Sequence, residues 1–178
     1  MRPDLNLILA GFGGQGLLFA GKVAAYAGLA EGREVSWLPS YGPEMRGGTA
    51  NCSVCISDKP IGSPLVLTPN ALIVMNLPSF DKFINTVKPG GTVVVDSSMV
   101  SKKVERSDIN VFYVPATKLA EENGIKGLGN IVLLGKLFKE LKFCSFEALD
   151  TGLVKSVPAS KPEMLEFNRK AIQLGMDA

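Results

Sequence analysis

The sequence predicts an α/β fold, a three-layer α/β/α sandwich around a largely parallel or mixed sheet, opening on a Rossmann-like βα unit. Three observations predict it. Short apolar runs recur at strand length, stretches of helix length fall between them, and Gly11-Phe12-Gly13-Gly14-Gln15-Gly16 joins the first run to the first helix. The 178 residues, 46% of them apolar, suit a single domain over 1–178 with a sizeable core and a helical C-terminal part from about residue 117.

Leu5 to Ala10 reads as a buried strand and Leu17 to about Ala30 as a helix. That helix is apolar almost all round, with Lys22, Tyr26 and Glu31 as a narrow polar stripe. Such a helix is either sandwiched inside its own domain or part of a subunit interface. Gly21, Ala24 and Gly28 give it room for a close neighbour. Glu34 to Leu38 is a second strand, followed by a Pro- and Gly-rich loop from Pro39 to Gly48.

Thr49 to Ile56 alternates, with Ala50, Cys52, Val54 and Ile56 on one face and Thr49, Asn51, Ser53 and Cys55 on the other. A half-polar strand of this kind belongs at a sheet edge, or beside a pocket or a partner. Asp58 to Pro69, with three prolines and one glycine, reads as a loop or an irregular edge. Ala71 to Met75, Thr92 to Asp96 and Val111 to Val114 complete the strands, with a short helix from Ser79 to Val87. Helices are expected over Thr117–Asn123, Asn130–Leu141 and Phe146–Lys155. A last one is expected from Ser160, where Ser160-Lys161-Pro162-Glu163 matches a capping box, to about Gly175.

Composition narrows the function. There is no histidine, so the usual neutral-pH acid–base group and commonest metal ligand are missing. The formal charge is +2 and the basic residues are dispersed, which points away from nucleic acid and membrane surfaces. The N-terminal apolar run, Leu5 to Ala10, is too short for a signal peptide's apolar region with its cleavage site, and no stretch approaches the ~18 apolar residues of a membrane span, so a cytoplasmic protein is expected. Cys52 and Cys55 have C-x-x-C spacing, but a strand sets residues at that spacing on opposite faces. With Cys144 as the remaining thiol, they read as packing residues, and four-thiolate iron–sulfur ligation within this chain is excluded.

Gly11, Gly13 and Gly16 satisfy G-x-G-x-x-G between a strand and a helix. Gly11 permits a tight turn, Gly13 close approach of a ligand, and Gly16 close helix–strand packing, with the helix N-terminus offering N–H groups to an anion. The second strand runs into Trp37-Leu38-Pro39-Ser40-Tyr41 without the carboxylate that holds a nicotinamide ribose. Dinucleotide binding, another phosphate-bearing ligand, a partner's backbone and a turn that binds nothing small all remain open. In the second loop Tyr41, Glu44, Met45 and Arg46 are candidate recognition groups. Arg46 can grip an anion through two parallel hydrogen bonds, and a Glu44–Arg46 surface pair is the plainer reading.

Gly11 to Gly16 with Gly21-Lys22, the continuous block Trp37 to Val54, Ser63-Pro64, Met75-Asn76, Phe80 to Phe83, Pro89-Gly90-Gly91 and the helix from Asn130 resemble the gamma subunit of 2-oxoacid:ferredoxin oxidoreductases. The resemblance spans most of the chain, and the block from Pro39 to Val54 is its most specific part. It implies a share in an enzyme acting on the oxo group of its donor. A 2-oxoacid, coenzyme A and oxidised ferredoxin become acyl-CoA, carbon dioxide and reduced ferredoxin. Thiamine diphosphate, magnesium and iron–sulfur clusters lie on partner alpha and beta subunits, with a delta subunit in some assemblies, and this chain alone binds none of them and is inactive. Its part is assembly, active-site closure and coenzyme A binding. The resemblance offers Gly11, Gly13, Gly14, Gln15, Gly16, Ser40, Tyr41, Gly42, Glu44, Arg46, Gly47, Gly48 and Asn51 as contacts. The Trp37–Gly48 block looks nearer to 2-oxoglutarate or branched-chain 2-oxoacid enzymes than to pyruvate enzymes. Isolated, the chain is expected to self-associate. An independent NAD- or flavin-dependent reductase and a pure assembly scaffold are the competing functions.

Overall fold

A computed structural model describes residues 2–40 and 49–178. Six strands form one sheet in the order β2-β3-β1-β4-β5-β6. They are β1 (Leu5–Phe12), β2 (Glu34–Ser40), β3 (Thr49–Ser57), β4 (Ala71–Val74), β5 (Thr92–Asp96) and β6 (Asn110–Val114). β3 runs antiparallel to both β2 and β1, while β1, β4, β5 and β6 pair in parallel. β2 therefore points the same way as β1, with β3 inserted between them. The sheet is mixed, with a continuous parallel half.

The helices are α1 (Leu17–Ala30), α2 (Leu77–Phe83), α3 (Ala116–Glu122), α4 (Gly129–Leu141), α5 (Phe146–Ser156) and α6 (Glu163–Asp177). Two apolar clusters cover the two faces of the sheet. One packs Leu7, Leu9, Val54 and Ile73 against α1, α4, α5 and α6. The other packs Ile8, Leu72, Val93 and Val95 against Phe80, Ile84 and the loop residues Val66 and Val100. The period-2 alternation of the strands divides their side chains between these layers. The second layer is thin: α2, a 3-10 turn at Ile84–Thr86 and connecting loops fill it.

α1 is sandwiched within the chain itself. Leu17, Ala20, Val23, Ala24 and Ala27 are buried in the larger cluster, between the sheet and α5. That explains its apolar circumference without a subunit interface. α4 is apolar for the same reason, lying between the sheet and α6. Arg33 ties the N-terminal residues to the segments that follow β3 and α4. Its buried guanidinium donates to Asp58 Oδ1 at 2.7 Å, to the Phe143 carbonyl at 3.2 Å and to the Pro3 carbonyl at 3.1 Å.

Three expectations are corrected. β3 is not an edge strand: it is hydrogen-bonded on both sides, and β2 forms the edge. Its polar-looking face is buried because Ser53 and Cys55 are small, and Cys55 packs into the thinner layer beside Ile8 and Val66. Ser160 does not cap α6. A turn from Pro158 to Lys161 precedes the helix, and the capping position falls on Pro162, whose side chain has no acceptor. The helix expected from Ser79 starts at Leu77. Asn76 caps it by accepting from the Ser79 N–H at 2.9 Å, and a 3-10 turn replaces its last residues.

The cysteines are free and buried, Cys52 in one cluster and Cys55 in the other, as the strand period requires. Burial pushes the thiols of Cys52 and Cys144 up to about 12. A thiol raised in the folded state stabilises it below the ordinary thiol pKa, and that stability is lost as pH rises toward the folded value. The native chain should therefore resist thiol alkylation at neutral pH and lose stability between about pH 9 and 12. Alkylation kinetics at pH 8 and denaturant melts across that range test this; rapid native alkylation at either thiol contradicts it. Among the described residues, no helix is long and apolar enough to cross a membrane.

Candidate functional site

The register of the strands brings the two candidate loops to one edge of the sheet. Phe12 pairs with Thr49, Gly11 with Ala50, and Asn51 with both Ala10 and Ser40. The glycine turn leaving β1 thus adjoins the first residues of β3, and the last residue of β2 lies one strand beyond them. Tyr41, Gly42, Glu44, Arg46, Gly47 and Gly48 lie outside the described residues; Ser40 and Asn51 anchor the two ends of their segment at this edge. The same edge is the carboxyl end of β4, β5 and β6. From it α1 departs to one face and α2 to the other, so the β1–β4 boundary is a topological switch point, where α/β sheets place ligands.

Gln15 spans that switch point. Its Oε1 accepts from the Phe12 N–H at 2.6 Å, and its Nε2 donates to the Met75 carbonyl at 3.1 Å. The Met75 N–H in turn donates to the Ala10 carbonyl at 2.9 Å. One amide therefore closes the glycine turn and ties it to the end of β4. Gly11 does not make the turn as expected: it is still strand, and a side chain there would collide with Gln15. The turn falls on Gly13 and Gly14, both exposed.

Gly16 is the residue α1 cannot replace. It sits at φ 73° and ψ 25°, a left-handed conformation. Asn130, at the start of α4, donates its Nδ2 to the Gly16 carbonyl at 2.7 Å, and a Cβ on Gly16 would stand 2.5 Å from that nitrogen. The close packing expected of Gly16 is thus against an asparagine of another helix. The first turn of α1 has no side-chain cap and no acidic residue, leaving its N–H groups to solvent or a ligand.

Beyond the turn, Asn76 is buried, and its Nδ2 lacks a partner, as does the Ser79 hydroxyl. Farther along the edge, the buried Asp96 carboxylate accepts from the Thr117 hydroxyl at 2.5 Å and the Ser98 N–H at 3.0 Å, holding the start of α3. Phe12 and Leu77 flank the glycine turn and are exposed. Backbone N–H groups, amides and hydroxyls make up the polar surface here. The described residues Gly11–Gly16, Ser40, Thr49–Asn51 and Met75–Asn76 include no titratable side chain. These residues can bind and orient an anionic or amide-bearing group, and among them there is no titratable acid–base pair.

A dinucleotide needs a carboxylate at the end of a strand lying beside β1. Here β3 separates β1 from β2, and β2 ends without an acid, so that geometry is missing. The cysteines do not fit an iron–sulfur cluster either, because Cys52 and Cys55 occupy opposite layers. Asn130 and Asn76 were not singled out as site residues by the sequence. The legible signals were an asparagine opening an otherwise apolar helix and an Asn-x-Pro helix start. Replacing Gln15 by Ala should cost about 1–2 kcal/mol, since the Phe12 N–H and Met75 carbonyl both lose their partner. Urea melts of Gln15→Ala and Gln15→Glu check this. Glu keeps an acceptor for the Phe12 N–H but sets a carboxylate against the Met75 carbonyl, so it should not restore wild-type stability; wild-type stability in both contradicts the strap.

Residues 6–178 match the sequence model of the family described as pyruvate ferredoxin/flavodoxin oxidoreductase. The ketoisovalerate oxidoreductase subunit VorA of Methanothermobacter thermautotrophicus is 36% identical over 98% of this chain, which spans 36% of VorA's own length. The structure of a keto/oxoacid ferredoxin oxidoreductase gamma subunit from Geobacter sulfurreducens superposes with a TM-score of 0.85 at 30% identity, covering 99% of this chain and 96% of that one. A 2-oxoglutarate:ferredoxin oxidoreductase from Magnetococcus marinus, solved with 2-oxoglutarate, coenzyme A and succinyl-CoA, gives a TM-score of 0.85 at 25% identity, covering 99% of this chain and 31% of that one. Matched over nearly its whole length and sharing the gamma subunit's fold, the chain belongs to the pyruvate ferredoxin/flavodoxin oxidoreductase family.

Proposed function

We propose that this chain is the gamma subunit of a cytoplasmic 2-oxoacid:ferredoxin oxidoreductase and that its switch-point edge helps to bind coenzyme A. The observation that carries the reading is the make-up of that edge. Around the glycine turn it combines an uncapped helix N-terminus, amides and hydroxyls with no titratable side chain among the described residues Gly11–Gly16, Ser40, Thr49–Asn51 and Met75–Asn76. This is binding equipment that needs chemistry from elsewhere. The first-turn N–H groups of α1 suit a diphosphate, and the exposed Phe12 and Leu77 suit closure against a neighbouring subunit. Thiamine diphosphate, magnesium and iron–sulfur clusters are assigned to partner subunits, where they supply decarboxylation and electron transfer. The present residues bind and orient.

The experiment is purification from native cells through a tag on this chain. Subunits bearing thiamine diphosphate and iron–sulfur clusters should accompany it, while the chain purified alone should be colourless and inactive. Ferredoxin or viologen reduction by the lone chain overturns the proposal. The isolated chain should also self-associate, through the exposed Leu29 at the end of α1 and the neighbouring Trp37 of the edge strand β2 rather than through the buried face of α1. A monodisperse monomer in sedimentation at all workable concentrations contradicts that.

A further inference from the structure

A cavity of about 300 Å³ lies on the helical side of the glycine turn, where α1, α4 and α6 meet. Phe19, Leu128 and Met164 supply apolar wall, and Asn130, Asn168 and Lys161 are its main polar lining. Both asparagines are buried, at 2% and 1% exposure. Each uses its Nδ2 on a backbone carbonyl, Asn130 on Gly16 and Asn168 on Met164, both at 2.7 Å. Each leaves its Oδ1 without a partner. Reversing either amide would turn oxygen toward a carbonyl, so the unpaired atom is an acceptor in both. Both oxygens are closed off from solvent behind the cavity wall, and a small outward rotation of the amides would offer them to an occupant with an apolar body and an N–H or O–H donor.

The charge around the cavity narrows the occupant further. α1 and α4 both begin here, and neither has a side-chain cap or an acidic residue in its first turn. Lys161 is the one charged group among the described lining residues. Two helix N-termini and a lysine disfavour a cationic side chain and favour an acidic neighbour. Tryptophan and tyrosine have the required neutral donor on an apolar body and are the residues that most often anchor interfaces. In the Magnetococcus protein the corresponding region is 31% of a longer chain, so further polypeptide is at hand in that relative.

We propose that the cavity is an anchor pocket for a tryptophan or tyrosine side chain of a partner subunit, flanked there by an acidic residue. The inference rests on the assembly proposed above. Indole and 1-methylindole, which lacks the N–H, serve as probes against the full chain. Side-chain amide NMR signals of Asn130 and Asn168 report occupancy. Indole should shift both signals and bind at least about 10-fold more tightly than 1-methylindole. Asn168→Leu should remove that preference. In cells, Met164→Trp fills the pocket and should reduce recovery of partner subunits at least about 10-fold, with its own thermal melt near wild type. Should Met164→Trp fail to fold, Asn168→Leu carries the recovery measurement, with a smaller loss expected. Equal binding of the two probes, or no binding, overturns the donor-seeking pocket. Normal recovery of partners with a filled pocket overturns the anchor role. If no partners accompany even the wild-type chain, the assembly itself fails, and the probe titration still decides the pocket.

Discussion

Replacing Gly175 by Leu should destabilise the chain by about 4 kcal/mol or more, at the upper end for single substitutions. α6 crosses α4 so closely that a Cβ on Gly175 would overlap the Val132 carbonyl oxygen and stand 2.8 Å from its carbon and 2.9 Å from the Lys136 nitrogen. These are helix backbone atoms, which no rotamer change can move aside. At roughly 2–4 °C per kcal/mol for a chain of this size, Tm should fall by about 10 °C. Gly175→Ala sharpens the test. Ala is favoured over Gly within a helix by ~1 kcal/mol, so an uncrowded position would gain stability. Here the clash begins at Cβ, and the sign should reverse. Urea melts of both variants, with exposed Gln173→Ala in the same helix as control, measure the effect. A neutral or stabilising Gly175→Ala contradicts the close crossing.

Arg46→Ala should weaken coenzyme A use or subunit docking roughly 10- to 100-fold in the assembled enzyme, with little effect on the fold. Arg46 lies between Met45 and Gly47-Gly48, in the segment that leaves the switch edge at Ser40 and returns to it by Asn51. The residues that flank it are therefore held at the same end of the sheet as the glycine turn that leads into α1. A guanidinium on such a loop grips an anion with two parallel hydrogen bonds, worth ~1.5–3 kcal/mol for charge-assisted contacts. Arg46→Lys should rescue only in part, because lysine lacks the planar fork. If Arg46 merely pairs with Glu44 at the surface, the loss should stay below ~1 kcal/mol and Glu44→Ala should reproduce it. Steady-state titration of coenzyme A, beside thermal melts of the isolated chains, separates the two.

Much of the fold was legible because local pattern and tertiary environment agree. β1, α1, β5 and α4 begin and end within a residue or two of the hydrophobic pattern, since each is buried on the faces its periodicity marks. β3 misled because alternation reports side-chain polarity, whereas edge position depends on which backbones pair. Small residues such as Ser53 and Cys55 can be buried on a face that reads as polar. Ser160 misled because a capping box describes four residues and ignores the Pro158 turn ahead of them. The glycine turn was legible as a turn, but not its supports. Gln15 reaches Met75 and Asn130 reaches Gly16 across separations that no local motif records. The joining of the Ser40–Asn51 segment to the glycine turn likewise depends on the antiparallel insertion of β3, which a strand–helix count does not show.

The most direct test is the coenzyme A affinity of the assembled complex, measured at equilibrium with and without this chain under otherwise identical conditions. If the switch-point edge and its neighbouring loop hold part of the ligand, affinity should fall at least about 10-fold on removing the chain, and adding wild-type chain back should restore it. Gly16→Val chain, whose side chain displaces Asn130 from the turn, should restore it poorly. Unchanged affinity without the chain would contradict the binding role and leave assembly as its whole contribution.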